Sequence, residues 1–150
     1  MRLLIQRVSR ASVSISGEKK SAIGRGLLIF IGIEEADTED DVAWLVRKTT
    51  ALRIFDDELG VMNRPVTDIG GNALVISQFT LFASYKKGNR PSWFRAARHE
   101  HAVPLYEQFC SALSSAIGQT VGTGVFGADM QVELVNDGPV TIWMDSKNKE

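Results

Sequence analysis

The stretch VISQFTLFA, residues 75–83, predicts one strand of a buried sheet. Branched and aromatic residues dominate it, which is typical of strands. Three polar side chains, Ser77, Gln78 and Thr80, nevertheless occupy its middle, and strand alternation would put them on both faces. A buried hydroxyl or amide without a hydrogen-bond partner costs about 1–3 kcal/mol. These side chains therefore either bond to neighbouring backbone, the commoner outcome, or line a pocket at the end of the strand.

Two helices and a central strand are predicted around this stretch. Residues 27–33 form a continuous apolar run, which is typical of a strand buried on both faces. An amphipathic helix is predicted to begin after Thr38, whose hydroxyl can cap the first turn. A second helix is predicted over residues 103–117, ending at Gly118.

The two ends of the chain each carry a pair of strand-like segments. Runs at 3–8 and 11–16, and again at 130–135 and 140–144, predict hairpin-like pairs. We therefore expect a single α/β domain over residues 1–150, with a mixed, largely antiparallel sheet and two outer helices. Periodicity alone does not decide whether the sheet curls into a barrel-like core.

Composition excludes several classes of protein. The chain is 44% apolar and 23% charged with a net charge of −1, which fits a folded globular domain. A pI near 6.1 argues against a protein that coats long nucleic-acid duplexes, because that needs excess Lys and Arg, but it allows local contact with an RNA end. No run is long enough to span a membrane, and no signal peptide is evident, so we expect a cytoplasmic protein.

Standard catalytic and metal-binding patterns are missing. Cys110 is the single cysteine, and His99 and His101 form an HxH without a third ligand, so we expect no metal and no cofactor. No GxSxG elbow marks a nucleophile, and Gly122-Thr123-Gly124 lacks the context of a phosphate-binding loop.

A basic cluster follows the polar strand directly. It contains Lys86, Lys87, Arg90, Arg95 and Arg98, with Trp93 and Phe94 among them. Most such clusters are solvated surface. Beside a cleft, however, this one would suit a phosphate backbone that enters the cleft.

Two further features concern the chain's ends. Asn136-Asp137-Gly138-Pro139 has turn composition and predicts a tight connection between two strands, with Pro139 starting the second. Arg7 falls on the same side of its strand as Leu3 and Ile5, so we interpret it as a rim arginine whose stem covers apolar surface.

Residues 77–81, SQFTL, and 136–141, NDGPVT, together resemble the signature motifs of the D-aminoacyl-tRNA (D-tyrosyl-tRNA(Tyr)) deacylase family. The likeness also covers IQRV at 5–8, GNRPS at 88–92 and FGADMQV at 126–132. It implies a homodimer with a barrel-like fold that hydrolyses the ester between a D-amino acid and the 3′ end of tRNA. Glycine mischarged on tRNA(Ala) is a further implied substrate, and chiral proofreading in translation is the implied role.

The resemblance also implies residue roles. The Gly138-Pro139 bond would be cis and would enter the partner subunit's active site, where rigid backbone leaves no room for an L side chain. Arg7 would steady that loop. The implied catalytic set is Ser77, Gln78, Phe79 and Thr80; the implied substrate-binding set is Gly138, Pro139, Val140, Thr141, Arg7, Phe126 and Met130; and the tRNA contacts are Lys86, Lys87 and Arg90.

The mechanism and the class of function both stay open at this point. Thr80 could attack the ester, but no base is evident to activate it. We favour a route that uses the ribose 2′-hydroxyl or a positioned water, with the amides of Phe79 and Thr80 stabilising the oxyanion. The alternatives are a catalytically inactive nucleic-acid-binding module on the same fold and a general esterase with Thr80 as nucleophile.

Overall fold

The structure is a computed structural model that describes residues 1–149. Eight strands, two α-helices and one 3₁₀ turn follow one another along the chain. In order they are β1 Arg2–Ile15, β2 Glu18–Ile23, β3 Gly26–Gly32, α1 Glu39–Ala51, β4 Phe55–Asp56, β5 Met62–Arg64, β6 Asn72–Ser77, the 3₁₀ turn Phe79–Phe82, α2 His99–Ile117, β7 Gly122–Thr123 and β8 Gln131–Asp145.

Strand β1 is the centre of the sheet. It pairs antiparallel with β8 along one edge and with β2 and β3 along the other. The predicted pairing of 3–8 with 11–16 is wrong, because both runs belong to this one strand. Exposed Ser9 and Arg10 interrupt the apolar pattern, while shifts of register near Val8 let the backbone pairing continue past them.

The predicted tight turn at the other end is also wrong. Strand β8 runs continuously through it and pairs with β1 on both sides of the Asn-Asp-Gly-Pro segment. Gln6 is opposite Thr141 and Val8 is opposite Asn136, so the residues 137–140 are opposite Arg7 alone. Turn-forming residues here build a four-residue bulge, in which Gly138 takes a φ of +120° that favours glycine.

The sheet is mixed and nearly closes on itself. Strands β3, β6 and β7 are parallel to one another, whereas every pair that involves β1 is antiparallel. Strand β7 comes back to β2, where the Ser21 hydroxyl donates to the Thr123 carbonyl (2.7 Å) and accepts from its amide (3.3 Å). The expected α/β class with a curled, barrel-like sheet and two helices is confirmed.

The sheet separates two apolar cores. Both helices pack on one face, and the inner core on the other contains Val8, Val13, Leu28, Leu74 and Ile76. Helix α2 begins at His99, four residues before the predicted start, because its polar first turn hides the helical period. Within residues 1–149, neither helix has the length and hydrophobicity that crossing a membrane requires.

Helix α1 begins as predicted at Thr38, where a reciprocal cap holds the first turn. The Asp41 carboxylate accepts from the Thr38 amide (2.8 Å) and from the Lys147 ammonium (2.7 Å). Burial alone would raise the pKa of Asp41, but the hydrogen bonds from Lys147, Ser146 and Thr38 together hold it well below its usual range. The end of β8 is thereby tied to the start of α1.

Candidate active site

Strand β6 ends at Ser77, and the prediction that it continues to residue 83 is wrong. Its parallel neighbour β3 ends at Gly32, so the ladder stops after the pair Ile31 and Ser77. The Gln78 amide still donates to the Ile31 carbonyl (2.7 Å), and the chain then turns into the 3₁₀ segment. The side chains after Ser77 therefore do not alternate between two sheet faces.

A cavity of about 390 Å³ opens at the point where β6 ends. Five predicted site residues lie together in its wall: Ser77, Gln78, Phe79, Phe126 and Met130. The remaining wall is largely apolar and includes Ile31, Ile33, Ile76 and Val132. A concave apolar cavity with a few polar groups at one side is typical of a small-molecule or cofactor site, and this volume is enough for a nucleoside.

Thr80 stands beside this wall and not in it. Its hydroxyl accepts a hydrogen bond from the Gln78 side-chain amide, which cannot take up a proton. The backbone amides of Phe79 and Thr80 head the 3₁₀ turn, where no earlier carbonyl of the same turn is available to accept from them. Donors in that position can bind an oxyanion.

Sequence reasoning missed the two aromatic supports of Phe126. The rings of His99 and Tyr106 meet Phe126 edge-on, with centroids 5.1 and 5.8 Å away. The Tyr106 hydroxyl donates to the Val75 carbonyl (2.9 Å), and burial raises the pKa of Tyr106. The helical spacing of His99 and Tyr106 could have indicated that both side chains lie on one face of α2. The predicted helix began at residue 103, however, and so left His99 out.

The two histidines do not converge. His99 lies in the cavity wall, whereas the His101 ring bonds to the Asp37 carbonyl (3.1 Å). Among residues 1–149, no cluster of three or more His, Cys, Asp or Glu side chains is arranged to hold a metal ion.

The position of the Met130 side chain depends on Gly124, which was not among the predicted site residues. A methyl group at Gly124 would collide with the Met130 sulfur. The glycine therefore lets the Met130 side chain fill this part of the cavity wall. The run Gly122-Thr123-Gly124 does not fit a phosphate-binding loop, and Gly124 instead allows close packing against Met130.

The Gly138-Pro139 peptide bond is cis, and both residues are exposed at the tip of the β8 bulge. Arg7 lies beneath them and is 6% exposed, so the interpretation as a rim arginine is wrong. Its guanidinium donates to the carbonyls of Asp137 (3.0 Å) and Ile54 (2.7 Å). Ion pairs of 3.3 Å with Asp56 and Asp137 balance its charge, which explains why a cation is tolerated there.

The base of the bulge is closed by side-chain amides. The Asn136 amide donates to the carbonyls of Arg7 and Val140, each at 3.0 Å, and so bridges the two strands. The Gln6 amide donates to the Thr141 hydroxyl (3.2 Å). Val140 is half-buried and Thr141 exposed, so the bulge is fixed at its base and presents its tip outward.

Within one protomer the bulge and the cavity are formed by different residues. Met130 and Gly138 are eight residues apart in sequence, so at about 3.3 Å per residue their separation is at most roughly 26 Å. Neither Gly138 nor Pro139 lies in the cavity wall. The predicted site residues therefore form two groups, one at the end of β6 and one at the bulge.

The predicted tRNA contacts lie on a loop next to the cavity. Lys86, Lys87 and Arg90 are all exposed, and backbone hydrogen bonds between Ser84 and Ser92 close the loop. Arg95 instead pairs with Glu34 (2.9 Å).

Several known proteins are similar to this chain over nearly its whole length. The family model described as D-Tyr-tRNA(Tyr) deacylase matches residues 4–145. Proteins of Bacteroides thetaiotaomicron and Chromobacterium violaceum, each named D-aminoacyl-tRNA deacylase, are 63% and 62% identical over the full length of both chains.

Two solved structures share the fold. One, named c-Myc DNA Unwinding Element Binding Protein, is 41% identical with a TM-score of 0.91 and covers 97% of this chain and 98% of its own. The other, a probable eukaryotic D-amino acid tRNA deacylase, is 17% identical with a TM-score of 0.82, over 95% of this chain and 97% of its own, and supports the fold alone. The family match and the full-length relatives show that the chain belongs to the D-Tyr-tRNA(Tyr) deacylase family.

Proposed function

We propose that the protein hydrolyses the ester that joins a D-amino acid to the 3′ adenosine of tRNA, and so proofreads chirality in translation. The observation that carries the proposal is the cavity at the end of β6, in which Ser77, Gln78 and Phe79 of the first motif meet Phe126 and Met130. Its apolar wall suits the flat face of adenine. In this binding mode the ester carbonyl, which follows the ribose, accepts from the amides that head the 3₁₀ turn.

The second motif would supply the chiral filter. In a homodimer, the bulge of one subunit inserts Gly138 and Pro139 into the cavity of the other. The position of Gly138 and Pro139 outside the cavity wall of their own protomer, on a continuous strand that begins beside Met130, supports this. Backbone is a suitable filter, since it cannot rotate away from an L side chain as a flexible side chain can.

Acceptance of glycine follows from the same filter. Glycine has no side chain to exclude, so glycyl-tRNA, including glycine mischarged on tRNA(Ala), is a further substrate of this site. A site that ignores side-chain identity must instead hold the α-amino group and the α-hydrogen. The reaction consumes products of aminoacylation, and we place it in the cytoplasm.

The chemical step is a hydrolysis assisted by the substrate. Water attacks the carbonyl carbon, the ester bond to the ribose breaks, and the ribose oxygen takes a proton, which leaves free D-amino acid and tRNA. The 2′-hydroxyl of the terminal ribose orients or activates that water, and the Phe79 and Thr80 amides stabilise the oxyanion. Thr80 is a poor nucleophile here, because its hydrogen-bond partner is an amide and not a base.

The test is hydrolysis of D-Tyr-tRNA and L-Tyr-tRNA by the purified protein, side by side. We expect loss of the D-ester alone. Cleavage of neither ester would favour a nucleic-acid-binding module without activity, the class suggested by the name of the 41% identical relative. Cleavage of both, together with small aromatic esters, would favour a general esterase.

Dimerisation needs its own measurement. Sedimentation equilibrium should give twice the monomer mass at assay concentration. A monomer that still rejects L-Tyr-tRNA would contradict the insertion of Gly138-Pro139 from a partner.

A further inference from the structure

Exposed aromatic side chains are concentrated beside the cavity. Within residues 1–149, five aromatic residues are more than a third exposed, and four of them lie in the segment 79–94: Phe79, Tyr85, Trp93 and Phe94. The fifth, Trp143, is on β8. Burying an aromatic side chain stabilises a fold, so the exposed parts of these four rings forgo stabilisation in one short segment.

Two of these rings are held in a fixed arrangement at the cavity. Phe79 lies in the cavity wall, and the Trp93 ring meets it edge-on with a centroid distance of 5.5 Å. The Trp93 carbonyl accepts from the Ala96 amide (2.9 Å), so a turn begins at Trp93, and Phe94 is its second residue. Phe94 is 79% exposed and has no aromatic neighbour among the described residues.

The same segment is positively charged. Residues 84–94 contain Lys86, Lys87 and Arg90 and no acidic residue, although the whole chain has a net charge of −1. The Ser84 and Ser92 hydrogen bonds bring the two ends of this loop together, with Trp93 directly after the closure. Exposed rings and exposed cations thus lie in one short segment, which reaches the cavity wall where Trp93 meets Phe79.

We propose that Phe79, Trp93 and Phe94 form a stacking surface for the unpaired nucleotides that precede the terminal adenosine of tRNA. This rests on the proposed function, which puts that adenosine in the cavity. The bases stack on the rings while Lys86, Lys87 and Arg90 bind the intervening phosphates. Rings and cations side by side are how proteins bind single-stranded nucleic acid without reading its sequence. The surface therefore recognises an RNA end that is common to all tRNAs, whichever amino acid is attached.

The experiment compares two substrates that share the reacting ester. One is D-Tyr-tRNA, and the other is D-Tyr-adenosine, which lacks the preceding nucleotides. Because stacking contributes about 1–3 kcal/mol per base, we expect Trp93→Leu and Phe94→Leu to lower kcat/KM for D-Tyr-tRNA by about five-fold to 150-fold. The loss for D-Tyr-adenosine should be several-fold smaller. Trp93→Phe keeps a flat ring and should restore most of the activity on tRNA.

Trp143→Leu is the matched control, because it removes an exposed indole outside this segment. It should change kcat/KM for both substrates by the same factor. Direct binding gives a readout that does not need catalysis. A fluorescent single-stranded ACCA tetranucleotide should bind wild-type protein. Trp93→Leu and Phe94→Leu should weaken that binding by about the same factor by which they lower kcat/KM for D-Tyr-tRNA. Raising the salt concentration should weaken it further.

The outcomes separate the two proposals. If wild-type protein cleaves D-Tyr-tRNA but the leucine variants lose equal activity on both substrates, or none, the stacking surface is wrong while the deacylase proposal stands. If wild-type protein cleaves neither ester, the deacylase proposal fails. Binding of ACCA that depends on Trp93 would then still support the stacking surface, and ACCA binding unaffected by the variants would overturn it.

Discussion

Replacing Arg7 by methionine should loosen the Gly138-Pro139 bulge and destabilise the fold. The change removes the donors to the Asp137 and Ile54 carbonyls. The bond to Ile54 is buried, and an unsatisfied carbonyl in a buried position costs about 1–3 kcal/mol, whereas the bond to Asp137 is only part-buried and water can replace much of it. The carboxylates of Asp56 and Asp137 are 45% and 42% exposed, so water replaces the guanidinium there and their loss adds little.

Two measurements check this prediction. Urea unfolding should give a lower free energy of unfolding for Arg7→Met than for wild type. The ratio of D-Tyr-tRNA to L-Tyr-tRNA hydrolysis should also be lower for the variant. A loss of about 1.4 kcal/mol in discrimination would lower that ratio about ten-fold. Arg7→Lys should be intermediate, since one ammonium can replace a single donor of the guanidinium fork.

The control is a variant with a similar loss of stability far from the bulge. Leu113 is fully buried in α2, and Leu113→Ala should cost about 2–5 kcal/mol while leaving the D/L ratio unchanged. The reasoning would be refuted if Arg7→Met unfolded at the wild-type urea concentration. It would equally be refuted if Arg7→Met kept the D/L ratio as well as the Leu113 variant does.

Four further predictions test separate parts of the structure. A methyl group on Gly138 would lie 2.6 Å from the Arg7 Nη2 atom, and the φ of +120° at this position disfavours side chains. Gly138→Ala should therefore lower both D-Tyr-tRNA hydrolysis and stability, and the losses should be smaller when Arg7 is already methionine. Thr80→Val should keep substantial activity, whereas D-Tyr-tRNA ending in 2′-deoxyadenosine should react poorly; a dead valine variant with an active deoxy substrate would reverse the mechanism. Folding lowers the pKa of Asp41 from its ordinary value of 3.8, so its contribution to stability is full well above that value and decreases as pH falls towards the lowered pKa. The difference between the urea midpoints of wild type and Asp41→Asn should therefore be largest at pH 7 and clearly smaller at pH 2. Burial raises the pKa of Cys110 to about 11, so about one thiol in a thousand is ionised at pH 8. Iodoacetamide should therefore modify Cys110 in native protein at least about a hundred-fold more slowly than in urea-denatured protein. Equal rates would contradict the buried position.

Local signals in the sequence were sufficient for much of the fold. The Thr38 cap, the apolar run that becomes β3 and the Gly118 cap of α2 each depend on a few neighbouring residues, and the structure has all three. The first-motif residues Ser77, Gln78 and Phe79 also meet Phe126 and Met130 in one cavity.

The errors arose where non-local pairing decides the structure. Exposed Ser9 and Arg10 look like a turn, yet β1 continues through them because β8 is hydrogen-bonded along its other edge. The Asn-Asp-Gly-Pro segment has the same local chemistry in a bulge as in a hairpin, so composition could not separate them. The partners of Arg7 come from Ile54 and Asp56, 47 and 49 positions away, where no periodicity connects them.

The single strand β8 restricts how this chain can change length during evolution. It runs from Gln131, next to the cavity residue Met130, to beyond the Gly138-Pro139 tip, without a loop between them. One residue inserted between these points would turn every following side chain to the opposite face and shift the bulge away from Arg7. Insertions should therefore be eliminated between 131 and 137, where the strand sets a fixed distance along the chain between the cavity and the bulge.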